Sequence, residues 1–191
     1  MNMKSFVISR LKRALTFMPK VGAVLITCLL FTFLSGCIND EKPQGASLGV
    51  GDKLPAFSVT LADGTVIGTT GGGISLKGKK GLIMFFNTEC PDCRQELPEV
   101  QKVWEKYREN PEVVIVAIAR EEGEEEIMNY WEANGLTIPF SPQVNREVYS
   151  LFAQSVIPRI YLFDPDLSIV FTSGDENMPD SEQLISEIEK I

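Results

Sequence analysis

Phe85-Phe86-Asn87-Thr88-Glu89-Cys90-Pro91-Asp92-Cys93-Arg94-Gln95-Glu96-Leu97-Pro98 joins an apolar run to a segment of helical periodicity through two closely spaced cysteines. The run Leu82-Ile83-Met84-Phe85-Phe86 does not alternate, which is the pattern of a strand buried on both faces. Beyond it Leu97, Val100, Trp104 and Tyr107 recur at helical spacing, and Pro98 is expected to kink that helix near its first turns. Cys90 therefore falls at a helix N-terminus, where unsatisfied backbone N–H groups and the positive dipole end favour thiolate over thiol. Cys93 lies one turn along and reaches the first sulfur without long-range motion. Attack by Cys90 on a disulfide would give a mixed disulfide that Cys93 resolves by closing the small ring, and in reverse the pair accepts electrons.

Two plainer readings compete with redox chemistry. A structural bridge closing so short a loop would stabilise the fold by only ~2 kcal/mol on the chain-entropy estimate. Zinc needs about four ligands, and the chain has no histidine and no further cysteine outside its N-terminal segment. The missing histidine also removes Ser-His-Asp and Cys-His catalysis, and Arg94 after Cys93 offers no haem attachment. No metal and no cofactor is expected. With 18 Lys+Arg against 26 Asp+Glu, a formal charge of −8, the chain lacks the basic footprint of a nucleic-acid binder. Its 191 residues suit one domain of ordinary size.

Working outward from the core strand, Phe57, Val59 and Leu61 alternate toward one side, Asp63-Gly64 supplies a turn, and Val66-Ile67 returns, predicting a β-hairpin. Gly71-Gly72-Gly73 reads as a loop. Val113–Ala119 is a second buried strand, and Ile127, Tyr130, Trp131 and Asn134 trace a helix stopped by Gly135. A short extended piece follows at Ile138-Pro139-Phe140, then a helix from Arg146 to Gln154. Arg159–Phe163 and Ser168–Thr172 form a second hairpin, and Leu184, Ile185 and Ile188 mark one face of a closing helix over 181–191. This order implies an α/β sandwich with a mixed sheet.

The N-terminal third reads as an address. Lys4, Arg10, Lys12, Arg13 and Lys20 precede an apolar run from Val21 to Leu34 that is too short for the ~20 residues a stable membrane span needs. Leu34-Ser35-Gly36-Cys37 resembles the bacterial lipobox, which implies a signal peptide over 1–36, cleavage before Cys37 and lipidation of that cysteine. Acyl chains would hold it in the membrane at ~0.8 kcal/mol per buried CH₂. Ile38 rather than Asp follows the cysteine, so the usual inner-membrane retention signal is missing and the outer membrane is favoured. Residues 37–50 then form the anchor and a polar tether, and residues 51–191 the domain. Removing the leader leaves 13 basic residues against 26 acidic, a formal −13. Cys28 departs with the leader, and only Cys90 and Cys93 remain as thiols, in a compartment that permits disulfides.

The segment quoted first resembles the active-site region of thioredoxin-fold oxidoreductases, and over roughly residues 50–191 the chain resembles their membrane-tethered TlpA/ResA-like branch. Strand, Cys-x-x-Cys, Pro98 and a later Val156-Ile157-Pro158 before a strand carry the likeness in combination. It implies a thioredoxin-like sandwich, a mixed central sheet flanked by helices, with an N-terminal β-hairpin and an extra central helix. It further implies that Cys90 is the nucleophile and Cys93 the resolver, with Pro91 and Asp92 between them at the substrate-facing surface. Pro158 is expected cis and packed against the cysteines, and the Ile157 backbone is expected to pair with an extended substrate segment. Glu96 matches an acid that this branch places beside the cysteines, implying proton handling; the alternative is an ordinary exposed helix glutamate.

Two positions depart from thioredoxin itself. Met84 stands where thioredoxin has a buried Asp, and Glu89 stands where Trp usually precedes the first cysteine. With Glu89 and Asp92 near the nucleophile, negative charge opposes the helix dipole, so a potential nearer thioredoxin (~ −270 mV) than DsbA (~ −120 mV) is expected. The expected activity is reduction of disulfides in exported proteins, with a membrane thiol as electron donor. A thiol peroxidase is the second reading, although that group resembles Pro-x-x-x-Thr-x-x-Cys and here Asn87 sits three residues before Cys90. A non-catalytic peptide-binding module is the third. Gly73–Lys80 nearly spells a phosphate loop but ends in Lys80 and precedes a strand, and Glu121–Glu126 reads as acidic first-turn residues of a helix rather than a cation site.

Overall fold

Leu82 to Phe86 have no solvent exposure at all, and the rest of the molecule is arranged to cover them. The computed structural model describes residues 47–191, within the unit Pro43–Ile191. The expected leader over 1–36, Cys37 and most of the expected tether lie outside the described residues. In chain order the elements are β1 (Ser58–Thr60), β2 (Val66–Gly68), β3 (Ile74–Ser75), β4 (Lys80–Phe86), α1 (Pro91–Tyr107) and β5 (Val113–Ala119). They continue with α2 (Glu124–Asn134), β6 (Phe140–Ser141), α3 (Glu147–Ser150), β7 (Arg159–Phe163), β8 (Ile169–Ser173) and α4 (Ser181–Glu189).

The main sheet has the order β6-β5-β4-β7-β8. β4 runs parallel to β5 from Lys80↔Val113 to Phe86↔Ala119 and antiparallel to β7. Parallel neighbours need a crossover, which α1 provides. The mixed sheet with flanking helices is the expected sandwich. β1 and β2 pair antiparallel around Gly64, whose φ of +84° suits a turn, and bury Phe57, Val59 and Leu61 on one side.

Two details differ from the sequence reading. The stretch after Gly71–Gly73 adds a short strand, β3, parallel to β2; a Cβ at Gly73 would lie 2.0 Å from the Val66 carbonyl oxygen, so only glycine permits this approach. The helix expected over Arg146–Gln154 is confined to α3, because the Tyr149 hydroxyl donates to the Val156 carbonyl at 2.7 Å and folds the following segment back. Pro98, where a kink was expected, is exposed and lies within α1, whose helix extends to Tyr107. Elsewhere the helix expected to stop at Gly135 does so, with that residue left-handed at φ 64°.

Phe85 is the centre of an aromatic cluster, with ring centroids 5.4 Å from Tyr149 and 4.9 Å from Phe152. Phe152 in turn meets Phe57, which ties the hairpin sheet to the core. On the other side of the sheet Phe86 packs on Trp131, whose Nε1 donates to the Ile138 carbonyl at 2.9 Å. Trp104, in helical register with Leu97 and Val100, is only partly buried. No helix among the described residues is long and apolar enough to cross a membrane. Truncating Phe85 to alanine would remove the ring on which this cluster closes, and a loss of about 3–5 kcal/mol in unfolding free energy is expected by urea titration.

Candidate dithiol active site

The chain leaves β4 at Phe86 and turns through Asn87–Glu89 into α1. Asn87 organises the turn: its carbonyl accepts from Cys90 N at 3.1 Å and its Oδ1 from Glu89 N at 2.8 Å. Cys90 then occupies the N-cap with extended backbone, and Pro91 follows at the start of the helix, where a missing N–H costs nothing. In place of the usual hydroxyl or carboxylate cap, the Cys90 sulfur accepts from Cys93 N at 3.4 Å. Pro91 and Asp92 are exposed, Cys90 is half-buried, and Cys93 is sealed from solvent. Both sulfurs are free thiols. Burial, and next the hydrogen bond with the Cys90 sulfur, push the Cys93 thiol far above its ordinary range.

Opposite the thiols stands the loop before β7. The Ile157–Pro158 peptide is cis, and the Cys90 sulfur donates to the Ile157 carbonyl at 3.5 Å. The structure thus brings Cys90, Cys93, Ile157 and Pro158 together. Glu96 joins them from one turn beyond Cys93 on the same buried face of α1. It is no exposed helix glutamate: only 2% of its surface is accessible and its Oε1 has no hydrogen-bond partner. Burial, then the nearby Glu99 and Asp180, raise its pKa to about 7.

Sequence reading missed the residues that hold the turn in place. Glu122 was expected only as part of an acidic run, yet it is buried, and its carboxylate accepts from Thr88 N at 2.8 Å and from the Thr88 hydroxyl. Only Glu124–Glu126 of that run form the first turn of α2. The signal for Glu122 was its place just beyond the buried strand β5, because parallel strands in register end at the same level. Arg94 supplies a second hold: its Nε donates to the Thr88 carbonyl and its Nη2 pairs with Glu89 at 3.1 Å. The charge expected from Glu89 near the nucleophile is therefore countered by Arg94, while Asp92 keeps its expected place in the first turn. Arg120 lies near Cys93, and its guanidinium and that of Arg146 each stack on the Tyr149 ring, at 5.3 and 5.4 Å. Among the described residues no group of three or more Cys, Asp or Glu is placed to hold a metal ion.

A mixed sheet whose central strand delivers two vicinal thiols to a helix N-terminus, facing a cis-proline loop, defines the thioredoxin-fold thiol-disulfide oxidoreductases. Within that class the chain belongs to the AhpC/TSA family, whose model matches residues 50–172. It is similar to a thiol-disulfide oxidoreductase ResA of Bacillus thuringiensis, 26% identical over 156 residues, covering 79% of this chain and 87% of the relative. A ResA of Oceanobacillus iheyensis is 27% identical over 150 residues, covering 78% of this chain and 76% of the relative. Among solved structures, StoA from Bacillus subtilis superimposes with a TM-score of 0.58 at 23% identity, covering 70% of this chain and 96% of StoA. A thioredoxin-family thiol:disulfide interchange protein from Chlorobium tepidum gives a TM-score of 0.61 at 22% identity, with 76% and 98% covered.

The buried acid makes stability depend on pH. In the unfolded chain the Glu96 carboxyl titrates near its ordinary 4.5, and in the folded protein near 7. Between those values the folded state holds the proton and the unfolded state has lost it, so stability falls as pH rises through this window. Glu96→Gln is accordingly expected to stabilise the reduced protein by about 3 kcal/mol at pH 8 and to change it little at pH 5, read from urea titrations at both pH values.

Proposed function

We propose that the protein reduces disulfides of exported proteins by dithiol–disulfide exchange, working from a lipid anchor in the cell envelope. The observation that carries the exchange is the Cys90 sulfur at the N-terminus of α1, hydrogen-bonded to Cys93 N and facing the Ile157 carbonyl beside cis-Pro158. Backbone N–H groups at that position stabilise developing negative charge on sulfur. The Cys90 thiolate attacks a client disulfide, forming a Cys90–client disulfide and releasing one client thiolate. Cys93 then loses its proton and displaces the client from the Cys90 sulfur. The second client thiol leaves, and the two electrons gained by the client are balanced by a Cys90–Cys93 disulfide. A thiol donor at the membrane restores the dithiol.

Glu96 takes the Cys93 proton. No other carboxyl in α1 combines burial, a place one turn from Cys93 and a pKa of about 7, which matches a base working near neutrality. Met84 is buried at the position where thioredoxin carries an acid, so the task falls to α1. The Ile157 backbone and Pro158, with Pro91 and Asp92 across from them, form the ledge on which an extended client segment lies.

Replacing Cys93 with serine removes the resolving step. Cells producing this variant are expected to accumulate mixed disulfides between Cys90 and exported proteins, detected by non-reducing electrophoresis and mass spectrometry. A non-catalytic binding module would accumulate none. A thiol peroxidase is disfavoured by Asn87, whose amide is committed to Glu89 N and the Arg120 carbonyl where that group has a threonine hydroxyl.

The localisation rests on the leader over 1–36, Cys37 at the lipobox position, and the tether to residue 50, ahead of a catalytic domain over 51–191. Ile38 favours the outer membrane. Wild-type protein is expected to incorporate an alkynyl fatty acid and to sediment with membranes, whereas Cys37→Ser loses the label and leaves the membrane fraction. Labelled protein from the Cys37→Ser strain would sink this assignment.

A further inference from the structure

The loop that presents the Ile157 carbonyl to Cys90 is neither strand nor helix over residues 151–158. Within it Val156 takes a φ of +74°. Crowding at Cβ leaves a β-branched residue almost no population in that left-handed region, so a contact from outside the loop must hold the conformation. Tyr149 supplies the hold. Its hydroxyl is directed at two consecutive carbonyls of the loop, that of Val156 at 2.7 Å and that of Ser155. The side chain is only 1% exposed, so bulk water does not compete for these bonds. The other buried hydroxyl nearby, that of Tyr161, donates to the Phe152 carbonyl at 3.1 Å and fixes only the start of the loop.

The Tyr149 ring is itself firmly seated. Phe85 meets it edge-on at 5.4 Å, and the guanidinium carbons of Arg120 and Arg146 lie 5.3 and 5.4 Å from its centre. Phe85 belongs to β4, and Arg120 directly follows β5, where its N–H donates to the Phe86 carbonyl at 2.8 Å. The ring therefore rests on the ends of the same two strands that fix the thiol turn, and the client ledge and the thiols share one frame of reference. Ring and hydroxyl divide the work: the ring fills the core, and the hydroxyl carries the loop.

We propose that Tyr149 is a positioning residue for polypeptide clients: its hydroxyl keeps Val156 left-handed and so holds the Ile157 backbone in line for pairing with an extended segment, while touching neither thiol nor client. The inference rests on the exchange reaction proposed above and adds the residue that lets the enzyme favour a chain over a small disulfide. Without the hydroxyl, Val156 relaxes toward negative φ, the ledge turns about that residue, and a client strand loses its partner. Chemistry at sulfur is set elsewhere, by the N-terminus of α1 and by the turn that Glu122 holds through Thr88. A disulfide with no extended segment does not sense the change.

The test compares two substrates of the dithiol form: an extended peptide of about ten residues whose central cysteine is joined to glutathione, and hydroxyethyl disulfide, which has no backbone to pair. Tyr149→Phe deletes the hydroxyl and keeps the ring. On the peptide this variant is expected to raise the half-saturating concentration about tenfold with the limiting rate kept within about twofold, and on hydroxyethyl disulfide to change the rate less than about twofold. Asparagine accepts the left-handed conformation that valine resists, so in a Val156→Asn background the same Tyr149→Phe change is expected to cost less than about threefold on the peptide. An equal loss on both substrates, an unchanged response to the peptide, or the same loss in both backgrounds would overturn the positioning role. Failure of wild-type protein to reduce either substrate would instead overturn the exchange reaction on which that role rests.

Discussion

The register of β4 against β5 is the constraint on which the site depends. Seven residues of one strand pair with seven of the other, and both ladders finish together at Phe86 and Ala119. Side chains of Leu82–Phe86 are fully buried on both faces, so a slip of one residue would exchange the two sets of side chains and break the packing on each. Because the ends coincide, the turn leaving β4 lies beside the turn leaving β5. Thr88 can then be held by Glu122, and the helix carrying the thiols starts from a fixed point. Burial in the sheet, a nonspecific force, is thereby converted into the placement of one sulfur atom.

That placement was largely legible in the chain. An unalternating apolar run followed at once by Cys-x-x-Cys and helical spacing located β4, the turn and α1, and Gly135 marked the end of α2. What was hidden follows a common pattern. Glu122 looks like its neighbours in an acidic stretch, and only its place just beyond the buried strand β5 sets it apart from a carboxylate in water. Likewise α3 was overestimated because the apolar positions of 146–154 suit a helix, whereas the tertiary bond from Tyr149 to Val156 turns the chain back. β3 was invisible because two residues carry no periodicity. Local pattern specified the elements, and long-range hydrogen bonds decided their ends.

The electrostatics around the thiols are divided between two layers. At the surface, charges are paired or solvated: Glu89 meets Arg94, and Asp92 faces water. Beneath them Cys93 and Glu96 share a dry helix face, and burial is the largest influence on both, favouring the protonated thiol and the protonated acid. Passing a proton from the thiol to an ionised carboxyl would move one negative charge between the two groups and leave the number of buried charges unchanged. The chain has no histidine, and Glu96 is the buried carboxyl of α1 whose pKa is raised to about 7.

The complete seclusion of Cys93 beside a reachable Cys90 has a bearing on damage. Peroxide or hypochlorite arriving from outside meets a single sulfur, and a sulfenic acid formed there has its neighbour one helical turn away to condense with, ahead of further oxidation to the irreversible sulfinic state. The hidden thiol is closed to direct attack by bulk oxidants, and the disulfide that such condensation forms, unlike a sulfinic acid, is reversed by a thiol reductant.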